Sequence, residues 1–316
     1  MEDFKGESIV ITGAGGFIGS AIARRLVILG AQVHAVVRHG SDKSRLAEIA
    51  RDITIHEADI TNQSEIENVL SESAPKGIFH LAAASQKFGL VPSIDALIDT
   101  NIRATVKLMD KIEASTFFVN TDTFAVVGAK QASLREDDVL EPTEFYGVSR
   151  IPATLYGGAL GRTSGKPIVT VRVFTPYGPF VQKGKLPYEV ITRALLNTDI
   201  ELTRPEVARD FIYIDDLVEL YLRAGIHANE YPGHVFNGGG GKAVTLEEFA
   251  DLVREEAHSK SVIRWGGTAI SYDSGRPEAD LTKVRGLLGW EPSMSFRDGI
   301  RETITWFRAH PGYWRS

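Results

Sequence analysis

The 316-residue chain contains no cysteine. That absence excludes disulfides, thiolate nucleophiles and cysteine-held zinc or iron–sulfur centres. Its eight histidines never fall in the HxxxH or HExxH spacing that presents two imidazoles to one ion, so no metal site is expected. No apolar run approaches the ~18 residues of a membrane-spanning helix. The opening Met1-Glu2-Asp3-Phe4-Lys5 does not read as a signal peptide. Basic excess is lacking too: the net charge is −6, which argues against a nucleic-acid or anionic-membrane partner. What remains has the makings of an ordinary globular chain, long enough for about two domains. A cytoplasmic enzyme is the expectation.

The first half alternates β-branched runs with helical patterns. Strands are predicted at Ser8–Ile11, Val33–Val37, Ile53–Ile55, Gly77–Leu81, Phe117–Thr121 and Ile168–Phe174. Helices are predicted from Phe17 to the stop at Gly30, and over Asp42–Ala50, Asn62–Leu70, Ile94–Ile112 and Tyr146–Arg162. Such alternation predicts an α/β fold, a Rossmann-type doubly wound parallel sheet, with ligands beyond the carboxyl ends of its strands. After Phe174 the rhythm breaks, with prolines at 176, 179, 187 and 205. The expected division is a dinucleotide-binding domain over 1–174 plus about 211–237. A smaller mixed α/β substrate lobe then takes 175–210 and 238–316.

Three motifs carry chemistry. Gly13-Ala14-Gly15-Gly16-Phe17-Ile18-Gly19 follows a strand and opens a helix. There Gly13 permits the tight turn, Gly16 admits a pyrophosphate to the backbone, and Gly19 allows the helix to pack closely. The second strand ends in Val37-Arg38-His39-Gly40-Ser41, with no carboxylate before Asp42 to accept from a ribose 2′-OH. Arg38 with Ser41 suits a 2′-phosphate, which favours NADP(H) and leaves NAD(H) as the alternative; a solvated arginine is the plain reading. Tyr146 and Arg150 stand one helical turn apart, where a cation stabilises a phenolate, although such pairs also occur on solvated helix faces.

As a set, these segments resemble the extended short-chain dehydrogenase/reductases of the nucleotide-sugar epimerase/dehydratase type, over essentially the whole chain. Further carriers are Asp59-Ile60, His80-Leu81-Ala82-Ala83, Asn101, Arg172-Val173-Phe174-Thr175-Pro176-Tyr177-Gly178-Pro179, Arg209-Asp210-Phe211, Phe236-Asn237-Gly238-Gly239-Gly240 and Leu288-Gly289-Trp290-Glu291-Pro292. The resemblance implies that Gly13, Gly15, Gly16, Phe17, Ile18 and Gly19 hold the cofactor diphosphate. Asp59 and Ile60 would frame the adenine, Leu81, Ala82, Ala83 and Asn101 the middle, and Tyr146 and Arg150 the nicotinamide ribose. Ser85, Thr123, Thr175, Tyr177, Arg209 and Arg276 would meet a nucleotide-diphosphate sugar. For each arginine of that group a surface ion pair is the alternative. Trp290 and His80 are expected to pack.

Tyr146 would be the acid–base group, with a Ser/Thr hydroxyl at the end of the fifth strand. Strand alignment gives Thr121, which is preferred; counting back from Gly128 gives Thr123. The family lysine of YxxxK is Arg150 here, which keeps the charge but cannot lose a proton. Dehydratases of the family continue Thr-Asp-Glu where this chain has Thr121-Asp122-Thr123, so dehydration is disfavoured. The expected activity is reduction at C4 of an NDP-4-keto-6-deoxyhexose. A C4 epimerase with tightly held NAD is the alternative, and a catalytically weakened dinucleotide sensor the reading from another class. The resemblance also implies a homodimer through the Ile94–Ile112 and Tyr146–Arg162 helices, with Ile151, Ala153, Leu155 and Leu160 available to the interface.

Overall fold

The structure, a computed structural model, describes residues 4–85, 92–128, 130, 132–267 and 275–315. Its main sheet joins β1 (Ser8–Thr12), β2 (Gln32–Val37), β3 (Ile53–Glu57), β4 (Gly77–His80), β5 (Phe117–Thr123), β7 (Ile168–Val173) and β11 (Val235–Gly238). All pairings are parallel, in the order β11-β7-β5-β4-β1-β2-β3. The order reverses between β1 and β4, and that switch point opens a crevice at the carboxyl ends.

Strand alternation sends Ile9, Ile11, Phe79 and Val119 into one core and Val10, Ile78 and Phe118 into the other. Helices α1 (Phe17–Ile28) and α7 (Ile214–Ile226) cover the first face; α2 (Gln63–Ser73), α4 (Thr105–Lys111) and α5 (Phe145–Ser164) cover the second. Burial on both faces explains why β7, Ile-Val-Thr-Val-Arg-Val, is buried at every position. Gly77 has no room for a side chain: a Cβ there would lie 1.9 Å from the ring of Phe117 on the neighbouring strand.

The expected helix over Asp42–Ala50 is instead a 3₁₀ turn, Ser44–Ile49. The Asp42 carboxylate takes the Ser44 N–H and hydroxyl, a local bond that competes with α-helix formation. The long helix expected over Ile94–Ile112 is present but changes pitch: α3 (Ile94–Ala96) runs into a π-helical stretch, Leu97–Ala104, before α4.

The remaining strands build small sheets. β8 (Thr175–Tyr177) pairs with β10 (Ala208–Tyr213), which also pairs with β12 (Ala243–Thr245); β6 (Ser133–Leu134) pairs with β14 (Glu278–Ala279), and β9 (Ile200–Leu202) with β13 (Ile263–Trp265). Helices α6 (Leu186–Leu196), α8 (Leu246–Ala257), α9 (Thr282–Leu288) and α10 (Phe296–Ala309) complete this part. Trp290 is buried there and donates to Asp216 O, a packing role as expected.

One contact ties the carboxyl-terminal turn to the corner beside β2. Arg45 Nε donates to Phe180 O (3.1 Å) and its Nη2 to the Tyr313 hydroxyl (2.6 Å), while the Arg24 guanidinium lies 4.3 Å from the centre of the Phe180 ring. Phe180 sits at φ +65°, a left-handed conformation that a bulky side chain adopts only when its surroundings impose it. No helix among the described residues is long and apolar enough to cross a membrane.

Candidate active site

The crevice begins at the glycine turn. Gly13 has φ +70°, and a Cβ on it would come 2.7 Å from Ala82 N at the end of β4. A Cβ on Gly19 would lie 2.4 Å from Gly13 O. The turn, the end of β4 and the start of α1 therefore meet backbone to backbone. Gly16 caps α1 without a side-chain bond, so the first-turn N–H groups of Phe17, Ile18 and Gly19 are left for a phosphate. Gly15 abuts Asp42 O, bringing the loop after β2 alongside.

Arg38 is exposed on that loop, and Ser41, half-buried, donates its N–H to Arg38 O. Lys43 pairs with Glu57 at the end of β3, and His39 sits 3.1 Å from Glu65. Asp59 turns its carboxylate to Thr61, accepting from its N–H and hydroxyl. Ile60 lines a cavity of about 210 Å³ shared with Ala104, Leu108, Arg103 and Lys107. No local pattern marks this last group, because helix α4 and the π-helical stretch reach the cavity only through the fold.

The middle of the crevice is hung from β1. Leu81 N donates to Thr12 O, and Ala82 N to Thr12 Oγ1. His80 is fully buried between Thr12 Oγ1 (2.8 Å) and Thr105 Oγ1 (2.9 Å). Burial, with Arg150 nearby, pushes its imidazole down to about 3, so it stays neutral and bridges the two hydroxyls. Asn101, expected at the cofactor, grips the loop: it exchanges hydrogen bonds with the Ala84 backbone and donates to Ser149 Oγ. It shapes the Ala82–Ala83 wall indirectly. Ser85 is half-buried just beyond.

Tyr146 is half-buried in the first turn of α5, and no described residue bonds its hydroxyl. Burial raises its pKa and Arg150 opposes that rise. Arg150 is 1% exposed; its Nη2 donates to Thr121 O, while Nε and Nη1 are buried without a partner. Two orphaned guanidinium donors at the crevice floor fit the hydroxyls of a cofactor ribose.

The two threonines of β5 differ. Thr121 Oγ1 donates to His80 O (2.9 Å) and shares a 2.8 Å bond with the Tyr221 hydroxyl on α7. Its hydroxyl is thus already engaged by the neighbouring strand and by α7. Thr123 Oγ1, at the strand end, accepts from Ala125 N (3.3 Å) and keeps its proton to donate. Between them Asp122 is buried against Arg172, a pair the sequence did not single out as functional.

In the second lobe, Arg209 is buried on β10, with Nη1 on Ala208 O. Arg276 is exposed and reaches Ala243 O on the paired strand β12. Asp210 holds this region together by accepting from the N–H groups of Gly240, Gly241 and Ala279; burial pushes its carboxyl up to about 7. Thr175 is half-buried on β8. Tyr177 lies in the core. It is buried against α10, its hydroxyl 3.4 Å from Phe296 O, and a Cβ at Gly299 would strike it at 2.2 Å. Among the described residues no group of acidic or histidine side chains could hold a metal.

This geometry has counterparts. The dTDP-glucose 4,6-dehydratase of Haemophilus influenzae is 24% identical, covering 95% of this chain and 97% of its own. The dTDP-4-dehydro-6-deoxyglucose reductase of Escherichia coli is 26% identical, covering 96% and 98%. The solved dTDP-glucose 4,6-dehydratase of Bacillus anthracis, in complex with NAD, superposes with a TM-score of 0.86 at 22% identity, over 97% of this chain and 98% of that one. Residues 9–239 match the model of the NAD dependent epimerase/dehydratase family. With its glycine turn, seven-stranded parallel sheet and Tyr146–Arg150 pair, the chain belongs to that family and is an enzyme of the extended short-chain dehydrogenase/reductase type.

Proposed function

We propose that this enzyme uses NADP(H) to reduce the C4 ketone of a nucleotide-linked 4-keto-6-deoxyhexose. The observation that carries the reading is the Tyr146–Arg150 pair on α5, whose guanidinium docks on the Thr121 carbonyl of β5, with the hydroxyl proton of Thr123 uncommitted two residues on. A bound nicotinamide cofactor supplies the hydride. Tyr146 donates its proton to the ketone oxygen, and Thr123 donates a hydrogen bond to the same atom. Arg150 holds the ribose through its two unpartnered nitrogens and stabilises the phenolate that Tyr146 becomes. Arg209 and Arg276 pair with the substrate diphosphate.

Reduction is favoured over dehydration because Thr123 stands where the resembling dehydratases carry a glutamate, and Asp122 is taken by Arg172. The similarity to the Escherichia coli reductase supports the same direction. NADP(H) is favoured because Arg38 stands exposed on the loop after β2, while the Asp42 carboxylate is occupied by Ser44. The exposed apolar side chains Ile94, Ile98, Val148, Leu155 and Tyr156 support a homodimer through these helices. Of the residues first expected there, Leu155 is exposed, but Ala153 is buried and Ile151 and Leu160 pack inward.

The test is to denature freshly purified enzyme and identify the released nucleotide by chromatography. NADP(H), or an empty site that binds NADPH well ahead of NADH, supports the reading. Stoichiometric NAD(H) overturns the cofactor assignment and moves weight to a C4 epimerase.

A further inference from the structure

Asp122 and Arg172 face each other across β5 and β7 in direct register, 2% and 1% exposed. Asp122 Oδ1 accepts from Thr123 N at 2.8 Å, and Oδ2 from Arg172 Nε at 3.4 Å. Arg172 Nη1 reaches on to the carbonyls of Arg135 and Glu136, at 3.5 and 3.4 Å. The carboxylate is thus fixed from one side and grips, on the other, the backbone of the threonine whose hydroxyl is free.

A buried ion pair is a poor way to stabilise a sheet. An apolar pair of similar volume does so as well or better, because desolvating two charges offsets their attraction. Here the pair sits at the catalytic end of the strand. We propose that Asp122, anchored by Arg172, is a positioning residue: by holding the Thr123 N–H it sets where the Thr123 hydroxyl stands at the end of β5. The inference rests on the reductase reading above.

Asp122→Asn tests it, with the double variant D122N/R172M as a partner in which no buried charge is left alone. Both are expected to lower kcat about tenfold or more, as misplaced catalytic groups do, with KM changed less than about threefold. The decisive readout is the coupling to Thr123: in a Thr123→Val background, in which the hydroxyl is already gone, Asp122→Asn should cost less than about twofold further in kcat. A further loss as large as in the wild-type background, or a wild-type kcat in folded Asp122→Asn, overturns the proposal. Full turnover by Tyr146→Phe would instead defeat the reductase mechanism itself.

Discussion

Thr121 and Tyr221 share a 2.8 Å hydrogen bond on the sheet face opposite the helix that carries Tyr146. The bond makes Thr121 part of the scaffold and separates it from Thr123, two residues on. Thr121→Val should therefore cost on the order of 1–3 kcal/mol, because the Tyr221 hydroxyl and His80 carbonyl lose a buried partner, yet leave kcat near wild type. Thr123→Val should do the reverse, lowering kcat roughly 10²-fold at nearly unchanged stability. Denaturant titration and steady-state kinetics on the two variants decide it; a kcat collapse confined to Thr121→Val would reverse the assignment.

Tyr146→Phe keeps the ring and removes the proton. Turnover should fall by roughly 10²–10⁴, the range of a lost general acid, while NADPH affinity stays within a few-fold. Fluorescence titration with NADPH beside the rate assay separates the two effects.

Arg150 pulls the Tyr146 pKa down against burial. Arg150→Met should raise it, so the alkaline limb of the kcat profile moves to higher pH, and cofactor binding should weaken because the ribose loses two donors. Arg150→Lys should not raise activity, since lysine gives up the guanidinium bond to Thr121 O. A large gain on that change would mark residue 150 as a lesion.

At the other end of the crevice, Arg38→Ala should shift the NADPH-to-NADH preference towards NADH by about tenfold, the loss of one charge-assisted phosphate contact. Equal losses for both nucleotides would show that Arg38 does not read the 2′ position.

His80 gives stability an acid limb. Folded, it titrates near 3; unfolded, near 6.5, so the unfolded chain takes up a proton that the folded chain refuses. Its contribution is full above about pH 6.5 and drains away as the pH falls towards 3, on the order of 4 kcal/mol in all. Chemical denaturation at several pH values measures the slope. A slope no steeper than that of His80→Gln would remove the idea.

The sheet was legible because strands buried on both faces need β-branched runs, and the glycine turn announces itself between β1 and α1. Tyr146 and Arg150 were legible because helical spacing alone brings them together. The choice between Thr121 and Thr123 was not. Strand alternation puts both on one face, and only the fold shows that Tyr221 reaches the first. Asp122 and Arg172 meet through the register of two strands 50 residues apart, which no local pattern reports. The burial of Tyr177 was not legible because a loop motif says nothing of the helix α10 that later packs on it. The 3₁₀ turn after Asp42 escaped because helical periodicity over so few residues does not separate it from an α-helix.

The contact between Arg45 and Tyr313 joins groups 268 residues apart. During synthesis the loop after β2 leaves the ribosome long before the segment that fastens it. The glycine turn and its helix are complete early, but the corner beside them is secured only when the last turn docks. The corner beside the glycine turn is therefore the part of the first half whose shape waits on residues made long after it.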